Sequence, residues 1–123
     1  MIVRFKKKGG PLHFVLKTND TTVAVHWWCE YAYDKNQQPF CDKGQGKQTC
    51  SHALGMPHEL DNDNHAWQVA LANIGDGKEG YKVQITWHQD GAELPDKWAK
   101  VGNIKPGAEA EPLKDSAWLI AED

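Results

Sequence analysis

The sequence predicts an all-β protein, an antiparallel β-sandwich of about seven strands with immunoglobulin-like general character and one long loop. Three observations carry this. Several segments alternate apolar and polar residues with period two, Gly-, Pro- and Asp-rich turns separate them, and no segment shows a long amphipathic helical pattern. Without helices to cover the apolar faces, two sheets stacked on one another are the natural way to bury them.

The elements follow in order. IVRFK (residues 2–6) and LHFVLK (12–17) read as strands joined by KKGGP, with Gly9-Gly10 as a hairpin signal and Pro11 suited to a strand start. In TTVAVHWWCEYAYD, Val23, Val25, Trp27, Cys29, Tyr31 and Tyr33 share one face, and Thr22, Ala24, His26, Trp28, Glu30 and Ala32 the other. Residues 34–64 read as a loop of about 31 residues, a length that is usually functional or disordered. HAWQVALAN turns Trp67, Val69 and Leu71 inward, and GYKVQITWH turns Tyr81, Val83, Ile85 and Trp87 inward. NIGDGKEG between them is expected to close an antiparallel hairpin, its glycines supplying positive φ. Asp90-Gly91 is a second turn signal, folding back a strand near 96–101, with a short helix over the same residues as the alternative. NIKPGAEAEPLKD reads as a loop, and SAWLIAE as the last strand.

Size and charge narrow the function classes. The 123 residues fit one domain, 1–123, long enough to bury roughly two-thirds of the unfolded chain's surface without a staple. A formal charge of −3 offers nothing to a polyanion, and the cluster of Arg4 with Lys6, Lys7 and Lys8 reads as a solvated strand end, so no nucleic-acid partner is expected. No apolar run approaches the roughly 20 residues of a membrane span, and none at the start resembles a signal peptide's apolar region. The expectation is a cytoplasmic protein, with leader removal or leaderless export as the routes to an extracellular one.

Six tryptophans need places. Trp27, Trp67 and Trp87 are in phase with aliphatic neighbours and read as core, and Trp118 as packing near the C-terminus. Trp28 faces away from Trp27, beside His26 and Glu30, so a covering loop or a binding surface is its alternative fate. Trp98, between Lys97 and Lys100, is a second candidate for an exposed platform. Trp28, Trp98, His26 and Glu30 therefore form the predicted ligand-binding set.

The stretch CDKGQGKQTCSHALGMPHELDNDNHAW (41–67) admits three chemistries. Cys41 and Cys50 enclose eight residues containing two glycines and suit a disulfide. Alternatively Cys41, Cys50, His52, His58 and His65 supply ligand types for zinc, although no C-x-x-C or H-E-x-x-H spacing is present. Glu59, Asp61 and Asp63 with Asn62 and Asn64 suggest calcium, yet an EF-hand counted from Asp61 places Ala66 and Ala72 where glycine and glutamate belong. Cofactor-free function is the main expectation, with zinc or calcium as alternatives. His65, in phase with Trp67, reads as partly buried. Cys29, in phase with Trp27, reads as a buried thiol behaving as a small hydrophobe.

Catalysis has little support. No nucleophile elbow occurs, Ser51 and His52 are neighbours that point apart in extended chain, and His26 and Glu30 lie about 13 Å apart along a strand. GDGKEG joins two strands and has no helix N-terminus to hold a phosphate. The expected function is a non-enzymatic, lectin-like or adhesin-like binding module, recognising a glycan or protein surface through loops 34–64 and 89–107 and exposed tryptophans. Two alternatives stand beside it: an assembly protein packing on copies of itself as a homo-oligomer or on a partner chain, and a small metalloprotein built on the 41–65 cluster.

Overall fold

The computed structural model describes residues 1–30, 41 and 43–123. Two sheets, predominantly antiparallel, pack face to face. One has five strands: β1 (Ile2–Lys6), β3 (Val25–Glu30), β4 (Lys43–Gln45), β6 (Asp63–Asn73) and β9 (Leu113–Glu122), in the order β1-β9-β6-β3-β4. The other has β2 (Leu12–Lys17), β5 (Thr49–Gly55), β7 (Glu79–Gln89) and β8 (Ala92–Ile104), in the order β5-β2-β7-β8. One helical turn, α1 (Pro57–Leu60), sits between β5 and β6. The β1–β9 pair is parallel, and the other strand pairs are antiparallel.

The predicted alternation is realised. Val25, Trp27, Cys29, Trp67, Val69, Leu71, Val83, Ile85 and Trp87 all lie in the buried layer between the sheets. Cys29 is buried, as expected. At the centre of the layer, Trp67 stands 5.6 Å from both Trp87 and Trp98, ring centroid to centroid, with Phe14 at 6.4 Å. Tilted and edge-on contacts of this kind add to the area that the rings bury. Val23 is not part of β3 and is exposed. The expectations for Tyr31 and Tyr33 fall outside the described residues.

Two expected hairpins are in fact crossings between sheets. β1 and β2 lie in different sheets, so the Gly9-Gly10 segment carries the chain across the sandwich edge. The physical tie is Gln89, which is buried: its Oε1 accepts from the Lys6 amide at 2.8 Å, and its Nε2 donates to the carbonyls of Lys6 and Gly10 at 2.9 and 3.1 Å. NIGDGKEG likewise crosses from β6 to β7, and Gly75, Gly77 and Gly80 do not take positive φ there. An arch needs no tight reversal. Asn73, 1% exposed, holds it open instead, donating to the carbonyls of Gly77 and Ile104 and accepting from the Gly75 amide.

The Asp90-Gly91 turn is a true hairpin between β7 and β8, with φ of 53° and 78° at its two central residues. Positive φ at both matches the right-handed twist of the flanking strands. Residues 96–101 are strand rather than helix, inside the longer β8, so most of the expected 89–107 loop is a sheet edge. From Lys43 onward the expected 34–64 loop is occupied by β4, β5 and α1, and these raise the strand number to nine among the described residues. Short strands with polar residues on an edge carry no alternation, which hides them from a periodicity reading.

Because Gln89 replaces ladder partners that a hairpin would have provided, its loss should be felt. Gln89→Leu keeps the volume but takes the partner from the Lys6 amide and the Gly10 carbonyl, leaving the Lys6 carbonyl with the Gly9 amide alone, and should lower stability by about 2 kcal/mol. Urea unfolding of the variant beside Gln84→Leu, a half-buried glutamine with no such role, checks this. Equal midpoints would rule out the strut.

Candidate functional site

The site grows from the alternation of β3. With Val25, Trp27 and Cys29 inward, His26, Trp28 and Glu30 must face out from the five-stranded sheet. β4 then pairs along its edge, setting Gln45 opposite His26 and Lys43 opposite Trp28. Gly44 falls opposite Trp27, and a Cβ there would collide with the indole, so glycine is what lets the edge strand close over the core tryptophan. Gly46, at φ +62°, turns the chain back. Its amide donates to Val25 at 2.8 Å, and its carbonyl accepts from the Trp27 indole at 3.2 Å and the Thr18 hydroxyl at 2.6 Å. Gln45 Nε2 donates to the Val23 carbonyl at 2.7 Å, and the Gln48 side chain accepts from the Gln45 amide.

This edge is closed covalently. Cys41 and Cys50 form a disulfide, Cα to Cα 5.7 Å, joining the start of β4 in one sheet to β5 in the other. In the chain-entropy account, itself disputed, a ring this small contributes roughly 2 to 3 kcal/mol. Its more specific effect is positional. A cleft of about 440 Å³ opens beside the ring, lined by His26, Trp28, Lys43, Gly44, Gln45 and Gln48. The last four of these lie inside the disulfide loop.

Trp28 is 37% exposed at this cleft, its ring centroid 6.4 Å from that of His26. His26 Nε2 is buried and has no hydrogen-bond partner among the described residues. Glu30 accepts from Gln68 Nε2 of β6 at 2.9 Å. His26, Trp28 and Glu30 are thus on one face as expected. Lys43, Gln45 and Gln48 were absent from the sequence-derived set. The available signal was a cysteine ring following the strand that carries Trp28.

The remaining expected site residues lie elsewhere. Trp98 is buried in β8, 6% exposed, with its indole donating to Asp115 Oδ2 at 3.0 Å, so it cannot serve as an open platform. Its flanking lysines are exposed because β8 is an edge strand, not because the region is a loop. Trp118, expected to pack, is 49% exposed, since Ala117 and Leu119 take the inward positions of β9.

The residues of the metal reading are not brought together among the described residues. Both cysteine sulfurs are consumed by the disulfide, while His52 lies on β5, His58 is exposed on α1 and His65 is buried in β6. No group of three or more His, Cys, Asp or Glu side chains among the described residues is arranged to hold a metal ion. The acidic run is taken up locally: Glu59 accepts from the Met56 amide at the start of α1, Asp61 from the Ala121 amide, and Asp63 from the Asn64 amide. His65 packs edge-on against Phe14 at 5.4 Å, and burial pushes its pKa down to about 4, with Asp63 pulling the other way.

Fold and site together define an all-β sandwich with a polar-lined aromatic cleft at one sheet edge. No family model matches the chain, and no curated protein matches it either. A solved structure of similar outline is a domain of unknown function, DUF4425, from Bacteroides vulgatus, at a TM-score of 0.43 and 11% identity, covering 88% of this chain and 95% of that one.

Proposed function

We propose that the protein is a non-enzymatic binding module that takes a glycan in the cleft beside Trp28. The observation that carries the reading is a large aromatic ring held exposed on a rigid strand, over a cleft whose other side chains are those of His26, Lys43, Gln45 and Gln48. An indole face accepts the apolar face of a sugar ring, and amide, ammonium and imidazole groups match its hydroxyls as donors and acceptors. Sheet and disulfide hold the group in place before binding, which lowers the ordering cost of capturing a flexible polar ligand. The disulfide also supports work in an oxidising compartment, because such bonds are rare in the reducing cytosol.

Tryptophan fluorescence and calorimetric titration against a glycan panel test this. At least one member should perturb the emission, and Trp28→Ala should weaken that binding by about tenfold or more, the equivalent of one lost platform. Its melting temperature should stay near wild type, since Trp28 is partly exposed and outside the core. A panel without a binder, or a Trp28→Ala protein that binds as well as wild type, would refute the reading.

A further inference from the structure

The outward side chains of the five-stranded sheet run in rows fixed by strand register. One row is Glu30, Gln68 and Lys114, crossing β3, β6 and β9. Trp28 stands one row to one side, opposite Ala70. Trp118 stands two rows to the other side, opposite Asn64. Between Trp118 and the polar row lies a second cleft, of about 340 Å³, floored by Ala66 and bordered by Gln68, Lys114 and Ser116. From the register, the two tryptophans are separated by about 20 Å along the strands and about 10 Å across them.

We infer that this face is one extended site for a linear, uncharged polysaccharide, with Trp28 and Trp118 as platforms at its ends and the Glu30–Gln68–Lys114 row engaging the units between. The inference rests on the glycan reading of the Trp28 cleft and assigns Trp118 and the second cleft to the same ligand. Charge selects the occupant. The row sets one carboxylate and one ammonium on either side of an amide, and Lys43 at the Trp28 cleft and Asp115 at the second cleft add one charge of each sign, so the signs cancel and neither a polyanion nor a polycation is favoured. Hydroxyls both donate and accept, and so satisfy all three groups.

A protein partner fits poorly. Protein interfaces have an apolar centre and a polar rim, and this face has the reverse, with charges in the middle and exposed apolar residues at the ends, Trp28 at one and Trp118 with Ile2 at the other. Ala66 and Ala70 keep the floor low, so a chain can lie close to the sheet between the two rings.

The test is affinity electrophoresis with calorimetry of the full chain against soluble β-glucan, xylan and mannan and their matching disaccharides, using wild type, Trp28→Ala and Trp118→Ala. The polymer that binds should bind at least about tenfold more tightly per site than its disaccharide, because linked subsites add. Trp118→Ala should abolish that advantage and leave disaccharide affinity unchanged, while Trp28→Ala weakens both. If Trp28→Ala removes binding and Trp118→Ala leaves the polymer affinity untouched, the extended site is wrong and the Trp28 reading survives. Absence of any binding by wild type overturns both. A concentration-dependent dimer that Trp118→Ala dissolves would replace the polysaccharide with a second copy of the chain.

Discussion

Trp67→Ala should be the most damaging single truncation, costing about 4 to 5 kcal/mol. Trp67, on β6 of the five-stranded sheet, is 1% exposed and packs against the aromatic residues that the opposite sheet sends into the core: Phe14 from β2, Trp87 from β7 and Trp98 from β8. Removing the indole deletes one of the largest buried side chains and opens a cavity walled by rings that have few alternative rotamers. A domain's whole stability is about 5 to 15 kcal/mol, so the variant should keep little of it. Trp67→Phe is the informative partner. The Trp67 indole N–H is buried with no hydrogen-bond acceptor among the described residues, so the phenyl ring loses packing volume but no hydrogen bond. The expected order of urea midpoints is wild type, then Trp67→Phe, then Trp67→Ala far below. A cost below about 2 kcal/mol for the alanine variant would show that the sandwich is held elsewhere, because core Trp truncations normally exceed that.

What the sequence made legible followed from burial on one face. Where a strand is covered on one side only, as β3, β6 and β7 are, inward and outward residues must alternate, and the order of residues reveals the assignment. What it concealed was which strands pair. Gly9-Gly10 and NIGDGKEG carry the same local signal as a hairpin turn, yet the chain crosses between sheets at both. The difference lies in distant partners, Gln89 at the first and Asn73 at the second, whose side chains satisfy the backbone that a neighbouring strand would have satisfied.

The site divides in the same way. His26, Trp28 and Glu30 were legible because they share the outward phase of one strand. Lys43, Gln45 and Gln48 were not, since a three-residue edge strand has too few positions to show a period. Trp98 was misplaced because an edge strand carries lysines as protection against pairing with other chains, and those lysines imitate a loop. In SAWLIAE both faces are apolar, Ala117 and Leu119 inward and Trp118 and Ile120 outward, so alternation alone gave Trp118 no orientation.

Acid should destabilise the fold through His65. Its pKa in the folded chain is about 4, against 6.5 in the unfolded chain, and desolvation is the main cause. The folded state therefore holds this imidazole neutral over a range in which the unfolded state protonates it. The sign follows: stability from this group is complete above pH 6.5 and is lost as pH falls from 6.5 toward 4. A difference of this size corresponds to about 3 kcal/mol in full, with about 2 kcal/mol already gone at pH 5. Asp63 works against the shift, so Asp63→Asn should deepen the effect and carry it to lower pH. The measurement is urea unfolding at several pH values between 7.5 and 4.5 for wild type and His65→Leu. Wild type should weaken steeply over that interval, whereas the leucine variant, having no imidazole to protonate, should show a much flatter profile. Parallel profiles would place the acid sensitivity on other groups. They would also mean that the ring beside Phe14 and Trp67 gains a proton in the folded state as readily as in water.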